Sequence, residues 1–270
     1  MNCIKAELDN IFQSLVNLSD NDILYGSNDL FRPHLDKLNI LAAIDLDDSS
    51  IDELFNDSDL KIVISRISHV KRLNSMRIEI DCARSIIESD DPWSMIMSFY
   101  YYKNYLNLAR MESEGAGLQA NNKVIFLGSG PLPLSLIMLY KYYKVKGIGI
   151  ELKDEFVQLS RDVVAALGMD HNIKVVCGDH YSFPLDVKCE LVMVGAEALP
   201  KDEIFAHLAK VVDDQTKVSY RIFEKGFRRL LDDKSCFLLP PIFREYARVH
   251  PEPPVNNTVV FAVKDCGHVI

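Results

Sequence analysis

Before residue 120, apolar side chains recur at helical spacing. Between residues 63 and 86 they return every three or four positions, which is the period of one face of an α-helix. Glycine is nearly absent from this part of the chain. The pattern predicts a bundle of about five helices, which we assign to an N-terminal helical domain of residues 1–118.

Two stretches near the end of this region mark helix boundaries. In "ESDDPW" (88–93), Pro92 suits the first turn of a new helix, and Asp90 or Asp91 can cap its free N–H groups. The stretch "SFYYYKNYLNLARMESEG" (98–115) is typical of a strongly aromatic helix. Gly115 is predicted to end that helix, because glycine is the preferred residue at helix C-termini.

After residue 120 the pattern changes to short apolar runs that alternate with helical segments. This alternation indicates βαβ units and a parallel sheet, and so a Rossmann-like α/β domain of residues 119–270. The last strand is expected to enter antiparallel. We predict strands at 123–127, 146–150, 173–177, 190–195, 217–222 and 258–263. We predict helices at 132–143, 153–167, 201–211 and 224–231.

Composition narrows the classes of partner. The 270 residues are 48% apolar and carry a formal charge of −9. This charge argues against a general nucleic-acid binder, which needs a basic face, although a few local arginines can still hold a small anionic ligand. No apolar run is long enough to span a bilayer. Small molecules are therefore the expected partners, with neither nucleic acid nor membrane, and a homodimer is an option that the sequence leaves open.

The cysteines point to a reducing compartment. All six are scattered along the chain without a CxxC pair, which favours reduced thiols in a cytoplasmic protein over a disulfide framework. The same spacing argues against a structural zinc site. The seven histidines show no metal-ligand spacing either, so no bound metal is expected.

A glycine turn follows the first predicted strand in "KVIFLGSGPLPL" (123–134). Gly128, Ser129 and Gly130 would let the backbone approach a ligand closely. Glu151 ends the second strand, about 20 residues further on, where a carboxylate can accept the hydroxyl protons of a ribose. Asp179 ends the third strand and can accept from the exocyclic amine of adenine. Because the carboxyl ends of neighbouring parallel strands share one crevice, the three features together favour an adenosyl ligand.

The prolines of this loop narrow the choice of ligand. Pro133 stands where dinucleotide-binding loops carry their third glycine, and Pro131 and Pro133 remove two N–H donors. The loop is therefore poorly suited to phosphate, which favours S-adenosylmethionine, a ligand with adenosine but no phosphate. The prolines would form a stiff wall beside its amino-acid tail, or they serve only to start the next helix. Gly178 and Gly195, beside the ends of the third and fourth strands, complete the candidate cofactor-binding set.

Several of these segments resemble one family. "FLGSGPLPLS" is similar to the GxGPLPLT motif of the nicotianamine synthases, and "ESDDPW" with the aromatic helix after it resembles their helical region. "VSYR" (218–221) and "VNNTVVFAV" (255–263) resemble later landmarks of that family. The resemblance runs from about residue 60 to residue 264 and is greatest to the shorter archaeal and bacterial members. It implies a Rossmann-like S-adenosylmethionine-dependent transferase domain behind a helical domain.

The resemblance also implies a reaction. These enzymes move the 3-amino-3-carboxypropyl group of S-adenosylmethionine onto an amine, release 5′-methylthioadenosine, and make a metal chelator. By resemblance, the catalytic candidates are Glu79 in "MRIEIDCA" and Tyr105 in "YKNYLNL". Glu79 and Asp81 are two residues apart and cannot share a helix face, so only one of them should face the cavity, and we favour Glu79. Tyr105 follows a run of aromatic residues at 99–102. Without the resemblance, these aromatic side chains would be interpreted as part of the hydrophobic core.

Two further residues are candidates for binding the acceptor substrate. Arg221 ends a strand and could hold a substrate carboxylate through paired hydrogen bonds, with a surface salt bridge as its alternative. Asn257 opens the last strand, where a binding role competes with simple turn formation.

Three classes of function remain open at this point. The first is an aminocarboxypropyl transferase, with a second S-adenosylmethionine-derived unit, glutamate or histidine as acceptor; a single transfer to histidine would belong to opine-type metallophore synthesis. The second is an ordinary methyltransferase, whose sheet and acids would be the same. The third is a non-enzymatic cofactor-binding or scaffolding protein.

Overall fold

A computed structural model describes residues 2–42, 44, 46–184, 187–224, 237–253, 255 and 257–265. The chain divides into two compact units. One comprises Met1–Ile78 and Phe223–Cys236, and the other comprises Glu79–Ile222 and Phe237–Ile270. Among the described residues, no helix is both long enough and apolar enough to cross a membrane.

The described residues of the first unit before residue 79 are mainly helical. Its short helices are initiated by side-chain caps: Ser19 and Asp22 form a reciprocal capping box at the start of the second helix, and Asp47 accepts a hydrogen bond from the backbone N–H of Ser50 at the start of the fourth. These caps satisfy N–H groups that have no partner inside the helix. The helices are α1 (Asn2–Leu15), α2 (Asp20–Tyr25), α3 (Arg32–Ala42), α4 (Asp48–Asn56) and α5 (Ser58–Glu88), whose last part lies in the second unit.

Two more helices precede the sheet, α6 (Pro92–Ser98) and α7 (Tyr102–Ala116). The predicted restart at 88–93 is confirmed, with Asp91 accepting from the backbone N–H of Ser94 at 3.2 Å and Pro92 in the first turn. The described residues before the sheet thus contain seven α-helices, where the sequence predicted about five.

The predicted end of α7 at Gly115 is wrong. The helix continues to Ala116 and ends on Gly117, whose φ of 65° is the left-handed conformation that glycine favours. Gly115 lies inside the helix for a different reason. A Cβ atom at this position would lie 2.3 Å from Cζ of Phe261, so the glycine permits a close approach of α7 to the sheet.

The second unit is built on a seven-stranded sheet of order β3-β2-β1-β4-β5-β7-β6. Neighbours among β1 to β5 are parallel, while β7 pairs antiparallel with both β5 and β6. The expected antiparallel last strand is therefore confirmed. The strands are β1 (Lys123–Leu127), β2 (Lys146–Glu151), β3 (Ile173–Cys177), β4 (Leu191–Val194), β5 (Lys217–Ile222), β6 (Phe243–Val249) and β7 (Thr258–Lys264). The helices that follow β1, β2 and β4 are α8 (Leu134–Tyr143), α9 (Asp154–Ala166) and α10 (Lys201–Val211).

One strand was not predicted, and one predicted helix cannot be compared. The missed strand, β6, is one of the two edge strands of the sheet and is mostly exposed, so it lacks the apolar pattern of the inner strands. Charged residues on an edge strand also protect it from pairing with other chains. The predicted helix at 224–231 lies outside the described residues apart from residue 224.

The compact units do not coincide with the predicted domains. Residues 79–118 cluster with the sheet, whereas the sequence placed the boundary at 118/119. Compactness does not measure which parts fold independently, so the domain boundary stays a prediction. The parallel strands β1, β2, β3, β4 and β5 all end at the same edge of the sheet, which is where such folds bind ligands.

Candidate active site

A sharp turn follows β1. Gly128 and Gly130 have φ values of 75° and 73°, which side chains other than glycine adopt at a cost. The N–H groups of Gly128 and Ser129 donate to the carbonyl of Ile150 at 2.9 and 3.2 Å. A Cβ at Gly128 would also lie 2.9 Å from the side chain of Ala198. The turn is therefore tied to β2 and can adopt this shape because of its glycines.

Glu151 lies directly against this turn. Its Oε2 accepts from the backbone N–H of Gly130 at 3.0 Å, and its Oε1 accepts from the backbone N–H of Lys153 at 3.1 Å. The hydroxyl of Ser160 donates to the carbonyl of Gly130 at 2.7 Å. The structure thus brings together the glycine turn and the first predicted acid, and each oxygen of the carboxylate retains a lone pair for a ligand.

The prolines of the loop are buried. Pro131 and Pro133 both lie below the surface, and Pro133 stands immediately before α8 with φ −78°. Its carbonyl accepts the first helical hydrogen bond, from the N–H of Ile137 at 3.0 Å. Pro133, and not Pro131, therefore begins the helix, and Pro131 is left as a buried wall residue of the turn.

Glu79 and Tyr105 meet at the same glycine turn. The Tyr105 hydroxyl donates to Oε1 of Glu79 at 2.6 Å, and a Cβ built on Gly130 would lie 3.1 Å from Oε2 of Glu79. The pKa of Glu79 is raised to about 7, chiefly by burial and also by the charges of Glu151 and Glu197, while the Tyr105 hydrogen bond opposes the rise. Asp81, two residues along α5, is exposed.

The predicted adenine end of the site follows β3. Oδ1 of Asp179 accepts from the backbone N–H of Tyr181 at 2.8 Å, and the N–H of Gly178 donates to the carbonyl of Glu151 at 2.9 Å. The side chains of Leu152 and Tyr181, beside these acids, are 69% and 64% exposed. Such open apolar surface suits the face of a base, and the sequence reasoning did not single out either residue.

Gly195 lies at the end of β4. Its N–H donates to the carbonyl of Leu127 at 3.0 Å, and a Cβ on Gly195 would lie 3.1 Å from the carbonyl oxygen of Gly128. The chain thus packs tightly against the glycine turn from the β4 side. Glu197, two residues further on, is close enough to act on the charge of Glu79 and was missed from the sequence.

Arg221 forms a buried ion pair rather than a surface salt bridge. Its Nε donates to Oε1 of Glu112 at 3.2 Å, and the two side chains are 6% and 1% exposed. Its guanidinium carbon lies 5.4 Å from the centre of the Phe126 ring. Burial raises the pKa of Glu112, against the opposing effects of Arg221 and the Ser219 hydroxyl. The positive charge of Arg221 also opposes the rise in the pKa of Tyr105. The Arg221–Glu112 pair therefore lies near the Tyr105–Glu79 pair.

Asn257 is buried just before β7 begins. Its side-chain Nδ2 has no hydrogen-bond partner among the residues that the structure describes. Its neighbour in the sequence, Asn256, lies outside the described residues.

Glu112 was missed because a single buried acid carries no motif. One signal could have found it: Tyr105 and Glu112 are spaced i, i+7 on α7, so both lie on one helix face. That face is otherwise apolar, with Leu108 and Ala109 buried between them. An acid on a buried face needs a partner.

Two of the histidines lie together beside Tyr181. His180, Tyr181 and His207 form a cluster of rings with centroids 4.1 to 5.9 Å apart. Within the described ranges, no group of three or more His, Cys, Asp or Glu side chains is arranged to hold a metal ion.

The fold and the site together define a class. A sheet of this order, parallel except for β7, with a glycine turn after β1 and acids at or after the ends of β2 and β3, is the Rossmann-like architecture of S-adenosylmethionine-dependent transferases. The profile of the nicotianamine synthase proteins matches residues 2–269. The chain therefore belongs to the nicotianamine synthase family.

Individual relatives agree with this assignment. Nicotianamine synthase 1 of Hordeum vulgare is 29% identical over 202 residues, which cover 70% of this chain and 61% of the barley protein. The match thus spans less than two thirds of that curated relative's length. The crystal structure of MtNAS in complex with MTA and tNA is 28% identical, with a TM-score of 0.83 and coverage of 97% of both chains. A glutamate-to-glutamine variant of MtNAS in complex with S-adenosylmethionine has a TM-score of 0.81 at 28% identity, covering 96% of this chain and 97% of its own.

Proposed function

We propose that the protein transfers the 3-amino-3-carboxypropyl group of S-adenosylmethionine to an amino group, releasing 5′-methylthioadenosine and forming a nicotianamine-like metal chelator. One observation carries the proposal. Glu79, paired with Tyr105, is held at Gly130 on the same glycine turn that binds Glu151 through its backbone. An acid with a pKa near 7 and a site for an adenosine thus meet at one turn.

The adenosine half of the substrate is assigned to the carboxyl ends of strands β1 to β4. In this proposal Glu151 accepts from the ribose hydroxyls and Asp179 accepts from the adenine amine. Gly128, Ser129, Gly130, Pro131, Gly178 and Gly195 form the surrounding backbone. The glycines allow this backbone to pack closely, because a Cβ at Gly128, Gly178 or Gly195 would meet neighbouring protein atoms at 2.3–3.1 Å.

The chemistry requires a base and an in-line approach. The acceptor nitrogen attacks the tail carbon bonded to sulfur, the carbon–sulfur bond breaks, and its electron pair leaves with the neutral thioether. The nitrogen must give up a proton, and Glu79 is positioned to accept it. A base whose pKa lies near the working pH is the most effective, and the pKa of Glu79 is about 7.

The choice of carbon is assigned to the rigid loop. A sulfonium has three carbons that a nucleophile can attack, and only the one aligned for displacement reacts. The buried Pro131 and Pro133 limit how the tail can lie. Replacing both by glycine is expected to release some methyl transfer or to slow the reaction; an unchanged product ratio and rate would refute this role.

The acceptor substrate is assigned to two buried polar side chains near the end of β5 and the start of β7. A buried arginine and a buried asparagine amide, Arg221 and Asn257, are the residues we assign to acceptor binding. A second S-adenosylmethionine-derived unit or glutamate would allow successive transfers, whereas histidine would give a single transfer, as in opine-type metallophore synthesis.

One experiment tests the proposal. The purified protein is incubated with S-adenosylmethionine alone and with glutamate or histidine added, and the products are weighed by mass spectrometry. Methylthioadenosine with an aminocarboxypropylated product is the expected result. S-adenosylhomocysteine would instead indicate a methyltransferase, and intact S-adenosylmethionine in every mixture would indicate a binding protein.

The setting follows from charge and composition. We propose a cytoplasmic enzyme whose partners are small molecules, not nucleic acid or membrane, and which works without a bound metal because the metal belongs to the product. The formal charge of −9 supports the exclusion of nucleic acid as a partner. Whether it works as a monomer or homodimer would follow from its mass in solution.

A further inference from the structure

A polar cluster lies at the end of β5, on the sheet face that α7 covers. Arg221 and Ser219 are two residues apart on β5, so their side chains leave the same face. Ser219 pairs in register with Phe261 of β7, and the Phe261 ring packs against Gly115 of α7. The close approach at Gly115 lets Glu112, one turn earlier on α7, reach Arg221.

Four buried polar atoms here have no hydrogen-bond partner among the described residues: the donors Nη2 of Arg221 and Nδ2 of Asn257, and the oxygens Oε2 of Glu112 and Oγ of Ser219. The two nitrogen donors are the groups open to an anionic ligand. Arg221 pairs with Val259, and Asn257 lies two residues before Val259, so both side chains begin on one face. Buried polar groups are nearly always hydrogen-bonded. A charged donor and a neutral donor left open together match a carboxylate.

We propose that Glu112 is a positioning residue: it fixes the Arg221 guanidinium so that Nη2 of this group, together with Nδ2 of Asn257, holds the carboxylate of the acceptor substrate. The proposal rests on the transferase function and assigns Glu112 to the acceptor half of that site. Glu112 acts through Arg221 and does not itself touch the substrate.

The geometry favours orientation over attraction as the role of Glu112. A guanidinium is a planar fork, so a hydrogen bond at Nε and the Phe126 ring nearby restrict how its plane can turn. The negative charge of Glu112, in contrast, works against binding a second carboxylate. A substitution that keeps the hydrogen-bond acceptor and removes the charge therefore separates the two effects.

The test compares two substitutions at one position. Glu112→Gln keeps an oxygen for Arg221 Nε, so the KM for the acceptor should stay close to the wild-type value. Glu112→Leu removes that oxygen, so the acceptor KM should rise roughly tenfold or more, with little change in kcat at saturation. Glu114→Leu, an exposed acid on the same helix, is the matched control and should leave the acceptor KM unchanged.

The acceptor is whichever of glutamate, histidine or a second S-adenosylmethionine supports methylthioadenosine release by the wild type. Affinity for methylthioadenosine, which lacks the amino-acid tail, is measured by calorimetry and should be the same in every variant. Because Glu112→Leu leaves a buried arginine unpaired and can weaken folding, the double variant Glu112→Leu/Arg221→Met is included. It should fold and still show the raised acceptor KM.

Three other results would overturn either the role of Glu112 or the proposed function. An unchanged acceptor KM in Glu112→Leu and in the double variant would reduce the pair to a structural one and overturn the inference. An equal rise in Glu112→Gln and Glu112→Leu would show that charge matters and would overturn the positioning role. A wild type that releases no methylthioadenosine with any acceptor would overturn the proposed function itself.

Discussion

Helix α7 takes part in two carboxylate pairs, one partly buried and one fully buried, and they differ in the partner of the carboxylate. Tyr105 at one end of its inner face donates to Glu79, and Glu112 at the other end accepts from Arg221. Burial raises the pKa of both acids. Only Arg221 brings a full opposing charge, whereas the phenol of Tyr105 is neutral.

This difference separates the tasks of the two ends. A carboxylate against a neutral donor can gain or lose a proton near neutral pH, which suits a base. A carboxylate against a guanidinium is retained as an ion pair, because removing either partner leaves an unpaired buried charge. The first end is suited to moving a proton, and the second end is suited to holding a group in place.

The largest expected effect is at the proton-moving end. Glu79→Gln keeps the shape and the hydrogen bond to Tyr105 but cannot accept a proton, so kcat should fall by about 10²- to 10⁴-fold. Affinity for S-adenosylmethionine, measured by calorimetry, should be retained. Asp81→Asn, an exposed acid two residues along the same helix, is the control and should leave kcat unchanged. Near wild-type turnover by Glu79→Gln would remove Glu79 from the chemistry.

A smaller effect is expected at the holding end from Gly115→Ala. The new Cβ would lie 2.3 Å from the Phe261 ring, so α7 or the ring must move. Overpacking costs about 1–3 kcal/mol, against a gain of about 1 kcal/mol in helix propensity. The free energy of unfolding, measured with denaturant, should therefore fall by up to about 2 kcal/mol, and the acceptor KM should rise with it.

A second substitution checks the cause of that loss. In a Phe261→Leu background the ring is gone, so Gly115→Ala should no longer destabilise and could reveal its helix-propensity gain. An identical loss in both backgrounds would mean that the ring contact does not explain the glycine.

The sheet of the second unit was largely predictable from sequence, because buried parallel strands are short apolar runs bounded by glycine and acids. The edge strand β6 was not, since "FREYARV" is mostly exposed and carries alternating charges instead of an apolar run. The end of α7 was misplaced for a similar reason. Gly115 has a packing role that depends on Phe261, far along the chain, and local sequence cannot distinguish that role from a helix cap.

The candidate site also contains residues that local sequence could predict and residues that it could not. The glycine turn and Glu151 could be predicted because βαβ geometry places them at one sheet edge. Glu79 and Tyr105 were reached only through family resemblance, and the structure brings them to that turn. Glu112 pairs with a residue 109 positions away, and nothing in the local pattern of α7 identifies its partner. Long-range pairs of this kind depend on the packing of a helix on a sheet face.

The smallest expected effect is a shift in a pH profile. The Tyr105 hydrogen bond lowers the pKa of Glu79 from what burial alone would give. Tyr105→Phe removes this opposition, so the pKa should rise above its present value of about 7. If Glu79 must be ionised to act, kcat/KM rises with pH through that pKa. Its inflection should therefore move to higher pH by about half to one pH unit, as expected for one lost hydrogen bond.

Tyr102→Phe is the matched control for this shift. The Tyr102 hydroxyl lies on the same helix but pairs with that of Tyr142 at 2.7 Å, so its loss should leave the inflection where the wild type has it. A shift to lower pH in Tyr105→Phe would mean that the phenol stabilises the protonated acid instead. In that case the neutral partner would not favour the ionised base, and the two ends of α7 would no longer differ in the way that assigns the proton to Glu79.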